Sequence, residues 1–83
     1  MQWTAETVQV EVIKLLQPFN PKGIDITLET DLSADLYMDS VAAMNLVMEI
    51  EDRFELDIPI SLLPDVNSPR DLVDVVLAQL SKG

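Results

Sequence analysis

The sequence predicts an all-α domain with three main helices, one short helical turn before the last of them, and a long first connection. Three observations carry this. Apolar residues recur at helical spacing in three separate stretches, around 8–16, 43–54 and 72–80. Start and stop signals frame those stretches: Thr4 and Pro18, then Asp39, then Ser68 with Pro69. Only one segment, "IDITL", alternates in strand fashion, and no second convincing strand exists for it to pair with.

The first helix is expected from about Thr4 to Gln17. Thr4 can cap it, and Glu6 suits the positive end of the helix dipole. Val8, Val12, Leu15 and Leu16 form the inward stripe, with Gln9, Glu11 and Lys14 facing elsewhere. Pro18 is expected to stop the helix, because the residue before a proline is pushed out of the helical region. "PFNPKG" then reads as a turn cluster. Ile24, Ile26 and Leu28 follow as an extended loop laid over the helices, with their side chains pinned into the core.

The second helix is expected to start at Asp39 or Ser40, with Asp39 as N-cap, and to end near Phe54. Ala43, Leu46, Val47, Ile50 and Phe54 make its core stripe. Val41, Met44 and Met48 make a second apolar stripe beside it, and Glu49, Glu51, Asp52 and Glu55 cover the rest of the last turns. A helix apolar over two stripes carries more apolar surface than a thin core can cover, so the second stripe is either extra core or a contact surface. "LDIPISLLPDV" holds a short helical turn between Pro59 and Pro64. The last helix begins with Ser68 as cap, Pro69 in the first helical position and Asp71 in the first turn. Leu72, Val73, Val76, Leu77 and Leu80 point inward, and Lys82 with Gly83 closes the end.

At 83 residues the chain is expected to be one domain, 1–83, with a thin core. It is 48% hydrophobic and yet carries a net charge of −10, from 15 acids against 5 bases. The two kinds of residue must therefore lie on opposite faces. Nucleic acid is excluded as a partner, because phosphate backbones are bound by clustered Lys and Arg and the five bases here are scattered. Anionic membrane surfaces are disfavoured for the same reason, and basic protein surfaces are favoured. The chain has no Cys and no His, which removes disulfides and zinc sites built on those ligands. "MQWTAETV" lacks the flank and apolar run of a signal peptide, and no uncharged stretch is long enough to span a bilayer. A cytoplasmic monomer without membrane insertion is expected.

Ser40 stands at the mouth of the most hydrophobic helix, directly after Asp39. A serine nucleophile needs a base within reach, usually histidine, and the chain has none. Catalysis by this chain alone is not expected. Ser40 is either part of the cap or a residue that is acted upon. At the first turn its hydroxyl projects toward solvent beside backbone N–H groups that could receive an attached phosphate.

The stretch "DLYMDSVAAMNLVMEIEDRFELDIPI" resembles the acyl carrier protein family, whose members carry D-L-x-x-D-S-[LM], then an acidic amphipathic helix ending in E-x-x-F, then I-P. The matching residues are Asp35, Leu36, Asp39, Ser40 and Val41, then Glu51, Phe54, Ile58 and Pro59. The resemblance implies a four-helix bundle with a long first loop and a short third helix. It also implies 4′-phosphopantetheine esterified to Ser40, with Asp39 as motif neighbour. A phosphopantetheinyl transferase would donate the arm from coenzyme A, and the thiol of the arm would hold an acyl group as a thioester. Implied partners are enzymes that ligate, transfer or condense acyl groups through basic docking patches. Val41, Met44, Met48, Glu49, Glu51, Asp52 and Glu55 would then be contact residues. Methionines suit surfaces that repack for several ligands.

The chain departs from that pattern in specific places. Val41 replaces the commoner Leu or Met, and Tyr37 stands where many members have glycine. Ala42 and Asn45 occupy positions that are often acidic in fatty-acid carriers, and "ISLLPDV" is short of acids. The expected setting is a fatty-acid, specialised lipid or polyketide pathway, and the departures favour a dedicated lipid, polyketide or aminoacyl pathway over housekeeping fatty-acid synthesis. D-alanyl carrier proteins are a neighbouring assignment. An unmodified interaction module of the same fold is the remaining alternative.

Overall fold

The computed structural model describes residues 3–82. Helix α1 covers Ala5–Leu16, α2 covers Ser40–Phe54 and α3 covers Pro69–Lys82. Short 3₁₀ segments follow α1 at Gln17–Phe19 and precede α3 at Ile60–Asp65. No strand occurs among the described residues. Among the described residues the regular structure is all helical: three long helices and a short one before α3, as expected, with a further 3₁₀ turn after α1. The closing role expected of Gly83 lies outside the described residues.

Thr4 caps α1, in a reciprocal box with a partner the spacing did not reveal. The Thr7 N–H donates to Thr4 Oγ1 at 3.2 Å, and the Thr4 N–H donates to Thr7 Oγ1 at 2.8 Å. Val8, Val12 and Leu16 are fully buried. Pro18 does not end helical backbone where expected. Gln17 keeps right-handed helical angles (φ −55°, ψ −42°), and the chain tightens into a 3₁₀ turn closed by the Asn20 N–H on Gln17 O at 3.1 Å. A proline early in such a turn gives up an N–H that the turn does not use.

Glu11 also departs from expectation. Its side chain is only 14% exposed and receives Arg53 Nε of α2 at 2.9 Å, with Lys14 Nζ at 3.8 Å. The hydrogen bond from Arg53 holds the Glu11 carboxyl below its ordinary value of 4.5; partial burial opposes this, and the charges of Arg53 and Lys14 add to it. The folded state therefore binds the Glu11 proton more weakly than the unfolded chain. The clamp stabilises above the ordinary carboxylate value and is lost as pH falls through the lowered one. Glu11→Gln is expected to flatten the decline of Tm between about pH 5 and pH 3. A residual slope should remain from Asp31, which is lowered mainly by the Ala34 N–H. A Glu11→Gln profile that matches wild type would remove the clamp from the account.

The long first connection runs over the bundle as an extended loop. Asn20 brackets its start: Asn20 Nδ2 donates to Ile24 O at 2.7 Å, and the Ile24 N–H donates to Asn20 Oδ1 at 3.0 Å. Gly23 sits inside that bracket with φ +63°, where a glycine is unstrained. Ile24, Ile26 and Leu28 pack against the core, while Leu32 and Leu36 are buried in it. Backbone bonds tie the loop to the start of α3: Arg70 N–H to Leu28 O at 3.1 Å and Leu32 N–H to Asn67 O at 2.9 Å.

In α2, Leu46, Val47, Ile50 and Phe54 are buried. Trp3 meets Phe54 edge-on at 4.6 Å between ring centroids. Glu55 ends α2 in the left-handed region at φ +54°. In α3, Leu72, Val73 and Val76 are buried, and Leu77 and Leu80 pack on the core edge. Ser68 Oγ accepts the Asp71 N–H at 3.4 Å, and Asp71 Oδ2 accepts the Asn67 N–H at 2.9 Å. Helix α1 packs mainly on α3 and also on α2.

Candidate functional site

Residues 35–40 bring the chain from the loop into α2. Leu36 anchors the approach, with 2% of its surface exposed. The Asp35 N–H donates to Asp31 O at 2.8 Å, and the Met38 N–H donates to Leu32 O at 3.1 Å, so the turn 31–38 is closed on itself. Between these bonds Tyr37 adopts φ +55°. A left-handed side-chain-bearing residue costs about 1–2 kcal/mol. Lys22 offsets part of this by holding the side chain. Its Nζ donates to the Tyr37 hydroxyl at 2.8 Å and lies 4.7 Å from the ring centroid. A cation over an exposed ring contributes about 0.5–1 kcal/mol.

Asp39 is the N-cap. Its Oδ1 accepts the Ala42 N–H at 2.8 Å, and its carbonyl accepts the Ala43 N–H at 2.9 Å. One carboxylate oxygen is thus committed to the helix. Ser40 is the first residue of the 15-residue helix and is exposed. The cap falls to Asp39, so Ser40 keeps a primary hydroxyl in solvent. Helix geometry leaves the Ser40 and Val41 N–H groups without intrahelical acceptors, at the positive end of the dipole. An exposed alcohol next to unpaired donors fits a phosphodiester group.

The second stripe of α2 is outside the core. Val41 is 67%, Met44 41% and Met48 61% exposed. Glu49, Asp52 and Glu55 are exposed near the other end of the helix. Glu51 differs from them: it is half-buried, and its Oε2 accepts the Ile58 N–H at 2.8 Å, fastening the chain after α2. Met48, Asp52, Glu55 and Asp57 line one open depression with Glu51 and Leu56. Ile60, 67% exposed, adds an apolar residue that the sequence reading did not single out.

A cavity of about 120 Å³ lies between the loop, α2, the 3₁₀ segment and α3. Met38, Ala43, Leu46, Val47, Leu63 and Leu72 contribute most of its apolar wall. Met38 and Ala43 flank Ser40 in sequence, so the wall begins close to the Ser40 end of α2. Nothing in the periodicity of single helices announces such a space, because it is a packing deficit shared among four elements. Among the described residues no cluster of acids could hold a metal ion.

A family model described as "Phosphopantetheine attachment site" matches residues 11–76. Similar curated proteins include the "Acyl carrier protein" of Exiguobacterium sibiricum, 30% identical over 78 residues, covering 93% of this chain and 99% of the relative. The "Probable acyl carrier protein" of Caulobacter vibrioides is 34% identical over 55 residues, covering 66% of this chain and 64% of the relative. The "Acyl carrier protein" of Onion yellows phytoplasma is 40% identical over 48 residues, covering 58% and 63%. The chain thus spans somewhat less than two thirds of the last two and almost all of the first.

Proposed function

The chain belongs to the acyl carrier protein family, and we propose that Ser40 is the attachment point of its 4′-phosphopantetheine and that residues 1–83 form one carrier domain. The observation that carries this is the exposed Ser40 hydroxyl at the capped start of α2. When bound, the arm supplies a terminal thiol that holds an acyl group as a thioester. Ser40 Oγ acts only as the acceptor of the arm. Its oxygen bonds to the pantetheine-side phosphorus of coenzyme A as the phosphoanhydride breaks, adenosine 3′,5′-bisphosphate leaves, and a base of the transferase takes the serine proton, since the chain has no histidine. The chain is a carrier, not a catalyst.

The cavity supports an acyl rather than an aminoacyl cargo, because its wall is mostly apolar. The space is partly open to solvent, and its volume of about 120 Å³ leaves room for a short acyl tail. A dedicated lipid or polyketide pathway in the cytoplasm fits that cargo and the sparse acids on the first half of α2. No described helix is long and apolar enough to cross a membrane. Intact mass of protein from its native cell is expected to show one pantetheine-sized adduct carrying a short acyl group. Thiol titration after deacylation should return one thiol per chain from a sequence with no cysteine. An aminoacyl load would redirect the reading to the D-alanyl type, and no adduct at all would leave an unmodified interaction module.

Docking is assigned to Val41, Met44 and Met48 as an apolar seat, and to Glu49, Asp52 and Glu55 as its charged end. Glu51 belongs to the acidic end by sequence, but its carboxylate also fastens Ile58, so reversing it would confound charge with folding. Glu49→Lys with Asp52→Lys is expected to slow association with a transferase bearing a basic docking surface by about tenfold at low salt. The salt dependence of the rate should flatten as well. Equal association rates for variant and wild type at low ionic strength would move the docking surface elsewhere.

A further inference from the structure

Tyr37 lies three residues before Ser40 in a backbone conformation that glycine adopts freely and tyrosine resists. The chain holds it there from two sides. Its hydroxyl accepts Lys22 Nζ at 2.8 Å, and the following amide, Met38 N–H, is bonded to Leu32 O at 3.1 Å. Lys22 is itself fixed by position: it stands in the turn that the Asn20 side chain brackets and that Gly23 completes. The ammonium is directed at a neutral phenol. The carboxylates within salt-bridge distance of a base among the described residues are Glu11 and Glu29, and their partners are Lys14, Arg53 and Arg70. The Lys22 ammonium is thus directed at the ring and hydroxyl of one residue, Tyr37.

We propose that Lys22 and Tyr37 are positioning residues for loading of Ser40, holding the loop in the one left-handed geometry that presents the serine to the transferase. The proposal rests on Ser40 being the attachment point. A glycine at position 37 permits the conformation but also many others, whereas a tyrosine tied to Lys22 leaves one. When only a fraction of molecules holds the competent loop, the apparent affinity of the transferase falls by that fraction and the chemical step is untouched. Loosening the pair therefore raises KM for the carrier and leaves kcat alone.

The experiment measures arm transfer from coenzyme A by a phosphopantetheinyl transferase, with full-length carrier as the varied substrate. Lys22→Met and Tyr37→Phe are each expected to raise KM about three- to tenfold at unchanged kcat. The double variant should be no worse than the worse single one, as for residues that act through a shared contact. Lys22→Arg should retain most of the wild-type KM. Tyr37→Gly separates positioning from stability: backbone strain is relieved, Tm stays level or rises, and KM still increases. Wild-type KM in Tyr37→Gly and Lys22→Met would overturn the proposal, as would losses confined to kcat or KM changes that track Tm across the set. If wild-type protein itself accepts no arm, the attachment assignment fails and takes this inference with it. If wild type loads and the variants load equally well, only the positioning role fails.

Discussion

Ser40→Ala is expected to abolish arm loading completely while leaving the fold intact. The substitution removes the only atom to which the arm is assigned, so the loss is absolute rather than a graded change in rate. The effect on stability should stay within about 0.5 kcal/mol, because an exposed side chain that neither caps the helix nor enters the core contributes little. The cap survives, since Asp39 Oδ1 supplies it to the Ala42 N–H, and alanine is a better helix former than serine. The measurement is intact mass and thiol content after incubation with coenzyme A and a transferase, alongside a melting curve. A pantetheine-sized adduct on the alanine variant would end the assignment of Ser40.

Leu36→Ala is the second substitution with a large expected effect, and it acts by a different route. Leu36 is part of the motif that leads into the serine, yet its side chain is 2% exposed and belongs to the main core cluster. Truncating a buried leucine costs about 2–5 kcal/mol, from lost burial and from the cavity left behind. A domain of this length has about 4–12 kcal/mol of stability in total. The melting temperature should fall by about 10–25 °C, and part of the population should be unfolded near physiological temperature. Thermal and urea melts check this. A change below about 1 kcal/mol would mean that the loop closes over the gap and that Leu36 is not a structural anchor.

The helices were legible because each repeats one period over several turns. Val8, Val12 and Leu16 in α1, and Leu46, Val47, Ile50 and Phe54 in α2, lie at three- and four-residue spacing and are all buried. The start of α2 could be read from Asp39, because an N-cap is a local device. What sequence spacing hid depends on distant partners. Glu11 looks like a solvent-facing acid until Arg53, 42 residues away, is brought beside it. Glu51 looks like its neighbours until the turn after α2 folds its Ile58 N–H back onto the carboxylate. Tyr37 is visible as a departure from glycine, but its φ of +55° and its contact with Lys22, fifteen residues away, depend on how the loop closes. The exposed second stripe is an open choice in the sequence, because a period of 3.6 shows which residues share a face and not how wide a face the neighbouring helices can cover.

The contact between Trp3 and Phe54 gives the chain an optical probe of its own. The sequence contains one tryptophan, and its indole is seated at the end of α2 remote from Ser40. Fifteen helical residues separate the two ends by about 22 Å. Emission from that ring can therefore follow melting or the seating of another protein on α2 without any dye, and without disturbing the hydroxyl end of the helix.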